Sequence, residues 1–276
     1  MGSYVIEIRS RTPNINARAH SQTIQILSDL HLEIESPGSE EFYQFEIPKR
    51  ADILALLGDI GCTNDNRLFG WLEVQLKKFS KVIFVPGNHE PYRSSLSDSD
   101  ARLTIFAAAH PNSFIYLNRS RHDLTPTLTI LGCTLWSSLN PEDLDILSWS
   151  LTDFKRIEAF TPALYADNHD RDISWLCKAV ESIRENEPQR RVLIFTHHAP
   201  TVKGTGDPKY EGGPANSAFA TELTGRRCWG SPVCAWAFGH THWSCDFTRE
   251  GVRVYSNQRG YGDGTMGFDS GKLIEV

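Results

Sequence analysis

Side chains that bind metal ions or move protons stand at the ends of five apolar runs in this chain of 276 residues. Imidazole nitrogens and carboxylate oxygens are the ligands that divalent transition metals take. Polar groups at the carboxyl ends of buried strands are also where α/β proteins place their chemistry. The pattern therefore predicts a metal site built from Asp29-Leu30-His31, Gly58-Asp59, Gly87-Asn88-His89-Glu90, His197-His198 and Gly239-His240-Thr241-His242.

The spacing inside these clusters indicates how the ligands could share their ions. In an extended chain, residues i and i+2 point to the same side, so Asp29 and His31 can bind one ion. The same holds for His240 and His242. Asp59 has two carboxylate oxygens and can bridge two cations.

Asn88 adds a neutral carbonyl oxygen to the set, and no thiolate is among the candidates. Glycines precede Asp59, Asn88 and His240, where they permit tight turns and close backbone approach. The residues supply enough ligands for two divalent ions, with Mn, Fe, Co and Zn all suited to them. Two ions about 3.5–4 Å apart are the known arrangement for in-line displacement at phosphorus, with a bridging hydroxide as the nucleophile.

Strands and helices must position these side chains. The hydrophobic pattern of the sequence predicts where those elements lie. Uninterrupted apolar runs such as 53–57 indicate strands covered on both faces. Strand, helix and strand within about thirty residues predict a βαβ unit with parallel pairing. The predicted strands are Thr23–Leu27, Ile53–Leu57, Val82–Val85, Leu128–Trp136, Val192–Phe195 and Ala235–Phe238, with a terminal hairpin of Cys245–Thr248 and Val252–Tyr255. The predicted helices are Leu68–Phe79, Ser99–His110 and Asp172–Glu185.

Outside these elements, residues 1–22 are predicted to hold a short strand, and residues 199–230 form a long Gly- and Pro-rich loop near the site. We expect one domain over residues 1–276. The net charge of −6 argues against a sequence-independent nucleic-acid partner, which would need a basic face. The sequence shows no apolar run of transmembrane length and no signal-peptide pattern, so we expect a soluble cytoplasmic protein without a membrane partner. The oligomeric state is left open.

The ordered set D-x-H, G-D, G-N-H-E, H and G-H-x-H resembles the calcineurin-like metallophosphoesterase superfamily. The match extends from Asp29 to His242. The resemblance implies an α/β fold in which a two-sheet β-sandwich is flanked by helices, giving four layers. It also implies a metal-dependent hydrolase acting on phosphoester bonds.

The same resemblance implies a role for each residue. Asp29, His31, Asp59 and His242 would hold one metal ion. The other ion would be held by Asp59, Asn88, His197 and His240. His89 would be a catalytic residue beside the substrate rather than a ligand. His197 is preferred over His198 because it is the first residue past its strand. As substrate contacts we consider Asn88, His89, His198 and Arg259.

Differences between this chain and two phosphatase classes of the superfamily narrow the range of expected substrates. Ser/Thr phosphatases of this superfamily carry an arginine after G-D and another before G-N-H-E, whereas this chain has Ile60 and Pro86 in those stretches. Purple acid phosphatases place a tyrosine shortly after the G-D aspartate, and none stands there. With these two classes set aside, the chain resembles the small intracellular phosphodiesterase-like members of the superfamily. The segments Asp153-Phe154 and Arg259-Gly260-Tyr261 also resemble that group.

We therefore expect a phosphodiesterase that acts on a small nucleotide-type substrate. A phosphomonoesterase of small molecules is the alternative within the enzyme class. A catalytically silent protein-interaction scaffold on the same fold is the alternative from another class, and a nuclease is disfavoured by the acidic charge balance.

Overall fold

Two β-sheets packed face to face form the centre of the molecule in the computed structural model, which describes residues 21–35, 43–262 and 264–276. The first sheet has the strand order β11-β1-β2-β3-β4. Its strands β1 to β4 are parallel, and β11 pairs with β1 in the antiparallel direction. They are β1 Thr23–Leu27, β2 Ile53–Leu57, β3 Lys81–Val85, β4 Phe114–Tyr116 and β11 Leu273–Glu275.

The second sheet has the strand order β5-β6-β7-β8-β10-β9. Strands β6, β7, β8 and β10 are parallel, and an antiparallel strand closes each edge. Its members are β5 Ser120–Thr125, β6 Leu128–Cys133, β7 Arg191–Thr196, β8 Val233–Phe238, β9 Asp246–Arg249 and β10 Val252–Ser256. The carboxyl ends of the parallel strands in each sheet therefore lie along a single edge.

Helices cover the outer face of each sheet. The outer face of the first sheet packs against α1 Leu32–Glu35, α2 Asn66–Lys78 and α3 Leu96–Ala109, and that of the second against α6 Pro162–Asn186. Two short helices, α4 Leu144–Ser150 and α5 Asp153–Arg156, lie between β6 and α6 in the chain. None of the helices in the described part of the chain is long and apolar enough to cross a membrane.

Three apolar layers hold the sheets and helices together. The middle layer lies between the two sheets and includes Ile26 and Phe195. Trp71 of α2 belongs to the layer outside the first sheet, and Leu176 of α6 packs with Trp236 outside the second. The predicted four-layer sandwich is thus the observed fold, and the apolar strands are buried on both faces because helices cover what the sandwich leaves open.

The ends of the predicted elements agree with the structure to within two residues, except at three of them. Helix α6 begins ten residues before the predicted start because Thr161 caps it and Pro162 occupies its first turn. Strand β6 ends at Cys133 rather than Trp136, because Leu135 and Trp136 have positive φ angles of 76° and 47°. Helix α3 begins at Leu96, where the side chain of Ser95 accepts the N–H of Asp98.

Three strands were not predicted. Strands β4 and β11 have three residues each, and β5 is a polar edge strand with the sequence SRHDLT. The short strand expected in residues 1–22 falls on a stretch whose first twenty residues lie outside those described. Residues 199–230 are irregular, as expected, apart from 3-10 turns at Pro208–Tyr210 and Asn216–Ala218. The expectation of one domain over residues 1–276 stays a prediction.

Candidate metal centre

The loops that follow β1, β2, β3, β7 and β8 meet at one edge of the sandwich. Backbone hydrogen bonds join neighbouring loops. The N–H of Asp29 donates to the carbonyl of Gly58 at 3.0 Å, and the N–H of Gly239 donates to the carbonyl of His197 at 2.9 Å. The N–H of His240, after a strand of the second sheet, donates to Oδ1 of Asp29, after a strand of the first, at 2.9 Å. Both sheets therefore contribute polar side chains to the same place.

The backbone at this edge is left-handed at residues that are not glycine. The φ angles of Asp29, His31, Asp59, His240 and His242 lie between 48° and 72°. Such angles cost free energy for residues with a Cβ and cluster at functional sites. The expectation that extended backbone aligns residues i and i+2 is wrong here, because these residues have left-handed backbone and because His240 and His242 belong to different donor groups.

The first group of side chains comes from the loops after β1 and β8. The Nε2 atoms of His31 and His242 lie 3.0 Å apart, and Nε2 of His242 lies 3.6 Å from Oδ1 of Asp29. Oδ2 of Asp59 is 3.8 Å from Nε2 of His31. The donor atoms of Asp29, His31 and His242 lie within 4.8 Å of one another, which is close enough to share one cation.

The second group comes from the loops after β2, β3, β7 and β8. Nε2 of His197 lies 3.3 Å from Oδ1 of Asp59 and 2.9 Å from Oδ1 of Asn88. The ring of His240 is 4.9 Å from that of His197. Since Asp59 directs one oxygen toward each group, it lies between them.

Backbone carbonyls orient two of the histidines. Nδ1 of His197 is 2.9 Å from the carbonyl oxygen of Leu57, and Nε2 of His240 is 3.2 Å from that of Ala218. A ring nitrogen that donates its proton to a carbonyl leaves the other nitrogen with a free lone pair. Each imidazole is thus held in a tautomer that can bind a metal.

Asp153 orients the amide of Asn88. Its Oδ1 accepts the Nδ2–H of Asn88 at 2.8 Å and the hydroxyl of Tyr92 at 2.6 Å. Because the amide nitrogen is bound to this buried carboxylate, the amide oxygen faces His197. The sequence offered Asp153 only as a family likeness and gave no role for it.

Gly87 is required where the loops come closest. A Cβ at this position would overlap Oδ1 of Asp59 and would lie 2.6 Å from its backbone nitrogen and 2.9 Å from Nε2 of His197. Real Cβ atoms essentially never come within 3.0 Å of other heavy atoms. The predicted role of this glycine in close backbone approach is confirmed.

The side chain of Glu90 joins the loop after β2 to the loop after β3 by hydrogen bonds. Its fully buried carboxylate accepts the N–H groups of Asp59, Ile60 and Gly87 at 3.0, 2.8 and 2.6 Å. Glu90 follows His89 in the sequence, and nothing in that position predicts a function for it. Its contacts mark it as the residue that fixes the loops carrying Asp59 and Asn88.

Glu90→Ala should lower the free energy of unfolding by about 3–5 kcal/mol, because several buried N–H groups lose their acceptor at about 1–3 kcal/mol each. Urea unfolding in EDTA measures this without a contribution from metal binding. Glu73→Ala, at a half-exposed surface carboxylate, serves as control and should change the value by less than about 0.5 kcal/mol. A Glu90→Ala value within that range would show that the loops do not depend on it.

The charges of the buried groups suit cations. Burial raises the pKa of Asp59, but the charge of His197 outweighs it and holds the pKa well below its usual value. Burial lowers the pKa of His197, and the charge of Asp59 reverses this and raises the pKa to about 10. Burial lowers the pKa of His240 and of His242. The centre thus combines carboxylates with imidazoles of which His240 and His242 are held neutral by burial, and this donor set fits divalent transition ions.

His89 lies next to the two groups, and its donor atoms lie within 4.8 Å of those of His31 and Glu33. Its Nε2 is 3.8 Å from Oδ2 of Asp59, and its ring stacks on Tyr92 at 4.1 Å. Burial lowers the pKa of His89, but the charges of Asp59 and Glu33 outweigh it and raise the pKa to about 9. Glu33, which sequence reasoning missed, lies 2.9 Å from its Nδ1.

His198 and Arg259 have contacts of their own. His198 is fully buried, its ring lies 3.9 Å from that of His240, and its Nε2 is 3.3 Å from the hydroxyl of Tyr165. The guanidinium of Arg259 donates to the carbonyl of Leu30 at 3.1 Å and lies over the ring of Phe45. A substrate contact of either residue stays a prediction.

Two exposed aromatic rings lie next to the ligand groups. Tyr261, which is 55% exposed, lies 4.5 Å from the ring of His31 and 4.7 Å from that of His242. Phe219, in the long loop of residues 199–230, stacks on His240 at 4.8 Å. The loop therefore reaches the centre, and both rings offer apolar surface beside it.

Comparisons with known proteins agree with this geometry. The model of the family described as calcineurin-like phosphoesterase matches residues 23–244. An uncharacterized protein, L509, of Acanthamoeba polyphaga mimivirus is 28% identical over 274 residues, which cover 92% of this chain and 96% of that protein. The crystal structure of a phosphopantetheinyl hydrolase from Mycobacterium tuberculosis superposes with a TM-score of 0.64 at 19% identity, covering 87% of this chain and 90% of that one. This structural likeness concerns the fold.

Proposed function

Because the chain belongs to the calcineurin-like phosphoesterase family and is a phosphoester hydrolase, we propose that it cleaves phosphodiesters of small nucleotide-type molecules with two divalent cations. The observation that carries the proposal is the position of Asp59. One of its oxygens faces His31 and the other faces His197, as a carboxylate shared by two ions must.

The proposed ligands divide into two sets. The first set is Asp29, His31, Asp59 and His242, and the second is Asp59, Asn88, His197 and His240. When bound, the ions lower the pKa of the attacking water and offset the negative charge of the phosphate. Nitrogen and oxygen donors of this kind take Mn, Fe, Co or Zn.

His89 is proposed to act on the leaving group. Its Nε2 faces the centre while its Nδ1 is held by Glu33. An imidazole in this place can protonate the leaving oxygen as the bond to phosphorus breaks. Tyr92, stacked on the ring, keeps that nitrogen directed at the centre.

The proposed nucleotide-type substrate rests on the surroundings of the centre. Tyr261 offers an exposed ring against His31 and His242, and aromatic rings of this kind stack on nucleobases. The stretches at Ile60 and Pro86 lack the arginines that clamp the phosphate in protein phosphatases. A small diester therefore suits the centre better than a phosphoprotein.

A panel of substrates tests the proposal. Purified protein with added Mn, Zn, Fe or Mg is assayed on bis-p-nitrophenyl phosphate, p-nitrophenyl phosphate, cyclic nucleotides, dinucleotides and a phosphopantetheinyl ester. We expect kcat/KM to be at least about tenfold higher for diesters than for p-nitrophenyl phosphate, a difference of about 1.4 kcal/mol in transition-state binding. The reverse order would favour the phosphomonoesterase. No bound metal and no hydrolysis with any ion would favour the scaffold.

Asp153→Asn is expected to weaken binding of one ion by about 10–100-fold while the other ion stays bound. The new amide can donate to Asn88, so that the amide of Asn88 turns and its oxygen no longer faces His197. Competition with a chelator, read out by metal analysis, measures the two affinities. Asp143→Asn, at a carboxylate bound to Asn140 in the turn before α4, is the matched control. Equal affinities in Asp153→Asn and the unmodified protein would contradict this role of Asp153.

A further inference from the structure

The buried carboxylate of Glu33 lies in the centre but belongs to neither proposed ligand set. It stands in the helical turn α1, two residues after His31, and its side chain is 7% exposed. Its Oε1 is 2.9 Å from Nδ1 of His89 and 3.4 Å from Nδ1 of His31. The carboxylate thus contacts the imidazole proposed to act on the leaving group.

His89 is held from two directions. Glu33 contacts its ring at Nδ1, and Tyr92 stacks on its face with an angle of 26° between the rings. With Nδ1 occupied, Nε2 is the nitrogen 3.8 Å from Asp59. A carboxylate bound to one nitrogen of an imidazole fixes the tautomer and orientation of the ring and stabilises its positive charge.

The second carboxylate oxygen of Glu33 indicates that the residue has a role in function and not only in stability. Oε2 is buried and has no hydrogen-bond partner among the described residues. An unpaired buried carboxylate oxygen costs free energy, so a residue selected for stability alone would not leave it so. Glu90, the structural carboxylate nearby, has both oxygens bound to N–H groups.

We infer that Glu33 is a positioning residue for the reaction: it holds Nδ1–H of His89 so that Nε2–H points at the leaving oxygen. The inference rests on the proposed function. As the bond between phosphorus and that oxygen breaks, its electron pair stays on the oxygen and the proton of Nε2 moves to it. The attacking water forms the new bond to phosphorus and releases a proton to solvent. Glu33 takes up no proton, and His89 regains its own from solvent.

The test compares Glu33→Gln with the unmodified protein on methyl p-nitrophenyl phosphate and methyl phenyl phosphate. Phenolate is the poorer leaving group and depends more on protonation. We expect kcat to fall about 10²-fold for the phenyl ester and less than about fivefold for the nitrophenyl ester. KM and the content of two ions should stay unchanged. Glu46→Gln, at an exposed carboxylate paired with Lys78, is the control and should behave as the unmodified protein.

A double-mutant cycle shows whether Glu33 acts through His89. Glu33→Gln in the His89→Ala background should cost less than about twofold, because a residue that acts only through another has nothing left to position. Glu33→Ala gives a second variant that also removes the unpaired oxygen. Equal falls for both esters, loss of an ion, or additive effects in the cycle would overturn the inference. If the unmodified protein hydrolyses neither ester with any ion, the proposed function fails instead.

Discussion

His89→Ala is expected to lower kcat by about 10²–10⁴-fold while both ions stay bound. The imidazole lies beside the proposed ligand groups, with its Nε2 3.8 Å from Asp59 and its Nδ1 on Glu33. Removing it takes away the group that protonates the leaving oxygen and leaves every proposed ligand in place. Steady-state kinetics on a phosphodiester, with metal analysis of the same samples, measures both quantities.

The control for this variant is His110→Ala. His110 caps helix α3, and its Nε2 lies 3.6 Å from Glu73 at the surface. Its removal should change kcat by less than about twofold, since surface substitutions away from a site have small effects. Loss of an ion from His89→Ala, or full activity without this imidazole, would show that its proposed role is wrong.

Asp59→Asn is expected to lose both ions together and, with them, hydrolysis. The carboxylate directs one oxygen to His197 at 3.3 Å and the other toward His31 at 3.8 Å. Asparagine keeps the shape but replaces one oxygen by an N–H₂ group, which cannot bind a cation. It also removes the negative charge that favours cations at this edge. Metal analysis after dialysis measures the result.

Asp246→Asn is the matched control, because this carboxylate is paired with Arg253 at the surface. It should retain two ions and full activity. If Asp59→Asn keeps one ion at full occupancy, Asp59 is not shared between the two sets. Asparagine has nearly the same shape as aspartate, and its side-chain oxygen can still accept the backbone N–H of His89. Loss of metal from Asp59→Asn would therefore not reflect unfolding.

The sequence was most informative where side chains able to bind a metal follow an apolar run. Asp29, Asp59, Asn88, His197 and His240 each come one to three residues after a buried strand. Because parallel strands end at the same edge, their convergence could be predicted from patterning and from the family resemblance. The fold could be predicted for the same reason.

The supporting residues could not be predicted in the same way. Glu33 stands two positions after His31, and this D-x-H-x-E spacing was the one local signal for it. Glu90 and Asp153 act through contacts with residues about 30 to 65 positions away, and nothing in their local sequence records these contacts. The left-handed backbone at Asp29 and His31 could not be predicted either, because residues other than glycine rarely adopt positive φ angles.

Anomalous scattering from crystals grown with manganese shows whether Asp59 is shared by two metal ions. We expect two peaks per chain, with the carboxylate of Asp59 between them. Asp29, His31 and His242 should surround one peak, and Asn88, His197 and His240 the other. A single peak, or peaks placed away from Asp59, would contradict this expectation.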